Sequence, residues 1–204
     1  MRLILASGSP RRAELLRAAG FVFDVFVPDV DETRRDGEPA EEYVRRVSQD
    51  KSSAALRCLR ANDGDASQTD GRRNAEVIIA ADTVVVVNGD ILGKPRDDSD
   101  AASMLRRLSG RWHEVMTGVS VRAGLRETGS VALTRVQFAE LTDTDIDWYV
   151  TSGETVDKAG AYAIQGLGSR FIPRIDGSYA NVVGLPISLV QELLKRFERG
   201  YSDQ

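Results

Sequence analysis

Apolar positions along this chain recur with the period of strands, then with that of helices, and the alternation repeats to the end, which predicts a mixed α/β fold. RLILA (2–6) reads as a short strand. It leads into SGSPRRAELLRAAG, where Ser9 suits an N-cap, Pro10 the first helical position and Gly20 a stop. FVFDVFVPDVDE (21–32) alternates like a strand and ends on the acidic pair Asp31 and Glu32. PAEEYVRRVSQDKSSAALRCL predicts a helix of about five turns, striped by Tyr43, Val44, Val47, Ala54, Ala55 and Leu59. Residues 61–75 are small and polar and predict a flexible loop.

The next segment, VIIAADTVVVV (77–87), is apolar except for Asp82 and Thr83 and reads as a buried strand. Asn88-Gly89 predicts a tight hairpin, with DILGKP returning. A helix follows over DSDAASMLRRLSG, capped near Ser99 and stopped by Gly110. HEVMTGVSVRAG and GSVALTRVQFAEL supply two or three strands. Thr142 and Asp145 resemble a capping box opening the helix TDTDIDWYVTSG. Residues 157–186 are Gly-rich and irregular. The last helix, PISLVQELLKRFERG, presents Val190, Leu193, Leu194 and Phe197 on one face. With no internal repeat or clear interdomain linker, the expectation is a single α/β domain over 1–204, built as one body or as two lobes about a cleft.

Composition narrows the class. At 204 residues, 42% apolar and 28% charged, the chain is long enough to bury a core and is not disordered. No run approaches the ~18 apolar residues of a membrane span. The apolar stretch in MRLILASGSPRR is too short for a secretion signal. One cysteine, Cys58, supplies neither a disulfide framework nor a metal cluster, so a cytoplasmic location is expected. A net charge of −4 argues against a nucleic-acid partner. Of 27 basic side chains 23 are arginine, which makes the four lysines, 51, 94, 158 and 195, worth locating.

An ionised carboxylate in a strand as apolar as 77–87 must either be neutralised by a cation or face a cleft; a strand-end Asp satisfied by local hydrogen bonds is the plainer alternative. If the hairpin turns at residues 88 and 89, Asp82 lies opposite a position near 95, which brings Lys94 close, as a structural ion pair or as part of a site. Lys51 falls on the apolar stripe of its helix, where a lysine either snorkels or reaches an anion. Arg11 and Arg12 stand in the first turn of a helix, against its macrodipole, and a bound anion there would relieve the conflict. Four cations and two acids make a polyphosphate cradle with ligands for a divalent metal, and there is no GxxxxGK[ST] loop. His113, the only histidine, reads as structural. Tyr149, Tyr162 and Tyr179 read as packing residues, and Asp157 is a further candidate acid.

LASGSPRRAELL, DVDE, the helix carrying Lys51, AADTVVVVNGDILGKPRD, LSGRWHEVMTGV and GETVDKAGAYAIQGLGSRFIPRIDGSYANVVGLP together resemble the Maf family of nucleoside triphosphate pyrophosphatases. The resemblance implies an elongated α/β fold related to inosine triphosphate pyrophosphatases, with the active site in a deep cleft. It also implies hydrolysis of a nucleoside triphosphate between its α and β phosphates with Mg²⁺ or Mn²⁺, and frequent homodimers. By matching position, Asp82 is the expected proton acceptor and, with Glu32, a metal ligand. Ser7, Arg12, Lys51 and Lys94 are expected on the phosphates. Arg11, Thr83 and Gln165 match the subgroup that prefers dTTP and UTP, and a Gln amide suits the carbonyl and N–H edge of uracil or thymine. Other base preferences, including 7-methyl-GTP, and a nucleotide-binding regulator of septum formation with little turnover are the alternatives. Trp112 is bulkier than the residue usual in its segment.

Overall fold

Ten buried positions in the twelve-residue strand EVIIAADTVVVV, more than alternation alone would give, mark it as covered on both faces. The computed structural model describes residues 2–62 and 76–202. In chain order the elements are β1 (Arg2–Ala6), α1 (Pro10–Ala18), β2 (Asp24–Phe26), α2 (Ala40–Asn62), β3 (Glu76–Val87), β4 (Asp90–Leu92), α3 (Asp98–Leu108), β5 (Trp112–Ala123), β6 (Arg126–Gln137), α4 (Asp143–Thr151), β7 (Arg174–Asp176), α5 (Tyr179–Val183) and α6 (Ile187–Ser202). Short 3₁₀ turns cover Ala159–Ala161 and Gly166–Phe171. Seven strands form one mixed sheet ordered β2-β1-β3-β5-β6-β7, with β4 folded back on β3. The loop expected at 61–75 lies, from residue 63 onward, outside the described residues; residues 61 and 62 complete α2.

The chain forms two compact units: Met1–Asp82 with Gly118–Ala132 and Gly184–Gln204, and Thr83–Thr117 with Leu133–Val183. In the first, β1 runs parallel to both β2 and β3, with Ile4 opposite Ile78 and Ala6 opposite Ala80. Successive strand residues point to opposite faces, and the core divides by that parity. Leu3, Leu5, Val77, Ile79 and Ala81 pack with Leu16 of α1 and with Val190, Leu193 and Phe197 of α6. Ile4, Ala6, Ile78 and Ala80 pack with Ala55, Leu56 and Leu59 of α2. Position 82 shares the parity of the second set and faces α2. The helix lies unusually close to the sheet, because a Cβ on Gly118 would stand 2.2 Å from the carbonyl oxygen of Val44. Only glycine permits that approach.

In the second unit the stripe Ala101, Met104, Leu105 and Leu108 of α3 packs with Val85, Val87, Val115, Phe138, Ile146 and Tyr149. His113 is buried here, its Nε2 2.8 Å from the Tyr162 hydroxyl and its ring edge-on to Phe138; burial pushes it down to about 4. Burial likewise raises Tyr149 and Tyr162. Trp112 carries the guanidinium groups of Arg135 and Arg174 on its ring, at 4.9 and 5.9 Å.

Two expected boundaries shift. The strand expected over 21–32 shrinks to Asp24–Phe26; β1 ends at Ala6, opposite Phe26, and Pro28 has no N–H to continue a ladder beyond it. The cap of α3 is Asp97 rather than Ser99, its carboxylate accepting from the Asp100 N–H at 2.8 Å. The capping box at Thr142 and Asp145 is present with both reciprocal bonds.

Candidate active site

Lys51 and Asp82 meet because a helix stripe and a strand parity select the same side of the sheet. Lys51 sits one turn before Ala55, the α2 residue packed in the core with Ile78 and Ala80. Its Nζ donates to Asp82 Oδ1 at 2.7 Å, with both side chains nine-tenths buried. The same ammonium lies 2.9 Å from Glu32 Oε1, on a carboxylate about half exposed. One cation thus neutralises two acids from segments 50 residues apart in sequence, and the charge buried in β3 is accounted for.

Ser7 and Arg12 close this site from the turn after β1. Ser7 is buried, and its Oγ accepts from the Ser9 N–H and from Arg12 Nη1, both at 3.2 Å. Arg12 Nη1 also donates to the carbonyl of Ala81 at 2.9 Å, and Nε donates to that of Gly184 at 2.8 Å. Backbone carbonyls therefore answer the guanidinium at the start of α1. Burial pushes Arg12 below its ordinary value, against the opposing pull of the Asp82 and Glu32 charges. Arg11 stands beside it in the first turn of α1.

Glu32 has no helix or strand of its own, and its support was not foreseen from the sequence. Tyr43 of α2 donates its hydroxyl to the Glu32 carbonyl at 2.9 Å. Burial, followed by the charges of Asp82 and Glu32, pushes that phenol up to about 12. Arg46, one turn further along α2, grips Glu38 with two parallel bonds of 2.6 and 2.8 Å and reaches the carbonyl of Thr33 at 3.1 Å. The Arg46 fork holds the Glu38 carboxyl down at about 2. No local pattern in the sequence marks this support, since Glu38 and Arg46 read as ordinary surface charges.

Thr83, Lys94 and Gln165 belong to the second unit. Thr83 Oγ1 lies 2.9 Å from Thr117 Oγ1. The hairpin ladder ends at Val85↔Leu92, short of the 82–95 pairing its turn predicts, since residue 95 is a proline without an N–H. Lys94 lies beyond that end, its Nζ 3.9 Å from the exposed Asp157, a residue held in the left-handed region at φ 59°. Gln165 immediately precedes the 3₁₀ turn Gly166–Phe171. The N–H groups of Leu167 and Gly168 donate to the Glu154 carboxylate at 3.1 and 2.9 Å.

A fold of this class, a mixed sheet between helices, aligns with the Ham1 protein of Staphylococcus aureus over 98% of this chain and 100% of that one, at a TM-score of 0.55 and 16% identity. That likeness concerns the fold alone. The family described as Maf-like protein matches residues 2–197, and the chain belongs to that family. Relatives described as dTTP/UTP pyrophosphatases are 48% identical in Anaeromyxobacter dehalogenans strain 2CP-C, over 96% of this chain and 93% of that one. The corresponding figures are 45%, 96% and 92% in Hahella chejuensis, and 45%, 96% and 98% in Vibrio vulnificus strain YJ016. No helix among the described residues is long and apolar enough to cross a membrane.

Proposed function

We propose that this chain is a nucleoside triphosphate pyrophosphatase that hydrolyses dTTP and UTP to the monophosphate and pyrophosphate. The observation that carries the reading is the convergence of Asp82 and Glu32 on a single cation, in a chain whose relatives are described by that activity. The Lys51 ammonium stands where two carboxylates can share a positive charge. Two carboxylates with the rest of the shell left to water and phosphate oxygens fit Mg²⁺ or Mn²⁺. When bound, such an ion would neutralise charge developing on the phosphates.

Asp82 accepts a proton from the attacking water as its oxygen bonds to the α-phosphorus. The bond from that phosphorus to the α–β bridging oxygen breaks, and pyrophosphate leaves with the electron pair. The ammonium 2.7 Å away fixes the orientation of the Asp82 carboxylate for that role. Lys51, freed from one acid, is a point charge suited to a phosphate oxygen, and catalysis of this kind is mostly positioning and charge stabilisation. Phosphate roles for Ser7, Arg12 and Lys94, and base selection by Arg11, Thr83 and Gln165, follow from the family resemblance. A cytoplasmic setting agrees with the free, exposed Cys58. The homodimer implied by that resemblance is read by sedimentation. Pyrophosphate release across dTTP, UTP, CTP, GTP and 7-methyl-GTP tests the assignment: fastest turnover of dTTP and UTP is expected, and equal rates on all five would remove the base preference.

A further inference from the structure

The metal role of Glu32 depends on holding a half-exposed carboxylate on a segment, residues 27–39, that has no regular secondary structure. Such segments are ordinarily among the more mobile parts of a domain. Here the two peptides that follow Glu32 are tied to α2. The Glu32 carbonyl accepts from Tyr43, and that of Thr33 accepts from Arg46. The Thr33 N–H donates to Asp31 Oδ1 at 2.8 Å. Arg46 is fixed in turn by the two-pronged bond to Glu38, whose side chain is 7% exposed. Glu38 also closes its own loop: its Oε2 accepts from the Arg35 N–H at 3.1 Å, and its carbonyl takes both prongs of Arg34 at 3.0 and 2.8 Å. These contacts are far more specific than burial of α2 requires, and they end at the one acid that shares Lys51 with Asp82.

We infer that Tyr43 and the Glu38–Arg46 pair are positioning residues for Glu32, presetting its carboxylate for the divalent ion. The inference rests on the proposed metal role of Glu32. Tyr43 removes one soft degree of freedom by holding the Glu32 peptide from α2, the helix that also supplies Lys51. Arg46 holds the next peptide, and lysine in its place would keep the charge but lose the fork.

The test is Mn²⁺ binding, followed by electron paramagnetic resonance, together with the Mg²⁺ dependence of dTTP turnover, in wild type, Tyr43→Phe, Arg46→Lys and Glu32→Gln. Tyr43→Phe is expected to weaken Mn²⁺ binding about tenfold, as loss of an outer-shell partner commonly does. It should raise the half-saturating Mg²⁺ in step, while kcat at saturating Mg²⁺ stays within about twofold. Arg46→Lys should shift both in the same direction. If Glu32→Gln weakens Mn²⁺ and Tyr43→Phe does not, the positioning role is wrong and the metal role of Glu32 survives. If Tyr43→Phe lowers kcat with the metal dependence unchanged, the contact is merely structural and the inference is overturned. If Glu32→Gln itself binds Mn²⁺ like wild type, the metal assignment fails and the inference goes with it.

Discussion

Lys51 Nζ stands 2.7 Å from Asp82 Oδ1, buried, with the second carboxylate of Glu32 2.9 Å away on its more open side. A lysine so placed keeps two acids together when no other cation is there, and its own charge must be shared anew when one arrives. Lys51→Met should therefore leave Asp82 buried and uncompensated beside a like charge, at a cost of about 3–5 kcal/mol. Thermal melts with and without Mg²⁺ check this. The variant should melt well below wild type in chelator and recover part of the difference in Mg²⁺, because a metal can replace the missing ammonium.

Asp82→Asn keeps the shape and removes the proton acceptor. Turnover should fall by about 10²–10⁴, the usual range for a general base. Nucleotide affinity measured by calorimetry should remain within a few fold, since Ser7, Arg12 and Lys51 are untouched. Normal rates in this variant would show that another group takes the proton.

Gly118→Ala places a methyl group 2.2 Å from the Val44 carbonyl, a contact no side-chain adjustment can relieve. The helix must move off the sheet, at about 1–3 kcal/mol or more in urea unfolding. Because α2 carries Lys51, Tyr43 and Arg46, the folded fraction should also lose activity. Unchanged stability would mean the helix is not held where the Cβ would fall.

Stability should decline on the acid side in two stages. His113 is driven from 6.5 down to about 4 by burial, so between those values the unfolded chain binds a proton that the native one refuses. Its contribution is intact above pH 6.5 and is lost as pH falls toward 4, amounting to about 3 kcal/mol at 1.36 kcal/mol per pH unit. Glu38 acts lower: its carboxyl is held at about 2 against 4.5, so its contribution is complete above 4.5 and fades toward pH 2. Urea midpoints measured across pH should flatten between 6.5 and 4 in His113→Gln, which cannot titrate.

The pairing of Asp82 with Lys51 is largely legible in the sequence. Asp82 stood out as the one acid in a run that parity and apolarity bury, and Lys51 as a lysine on an apolar stripe; each implied a missing partner, and the fold makes them each other's. What escaped is instructive. The hairpin ladder stops at Val85↔Leu92, and that early end is not signalled by the Asn-Gly turn. The support of Glu32 was hidden because Glu38 and Arg46 look like ordinary surface charges in EPAEEYVRR; their value lies in a fold-back of the loop onto α2 that no local pattern encodes. The strand over 21–32 is cut short for a related reason: its alternation is real, but the neighbouring β1 ends at Ala6, opposite Phe26.

The most direct test of the central claim is ³¹P NMR of dTTP turnover with Mg²⁺ in ¹⁸O-enriched water. Attack on the α-phosphorus by a water that Asp82 deprotonates predicts pyrophosphate without label and dTMP carrying one ¹⁸O. Release of orthophosphate, or label found in pyrophosphate, would contradict it.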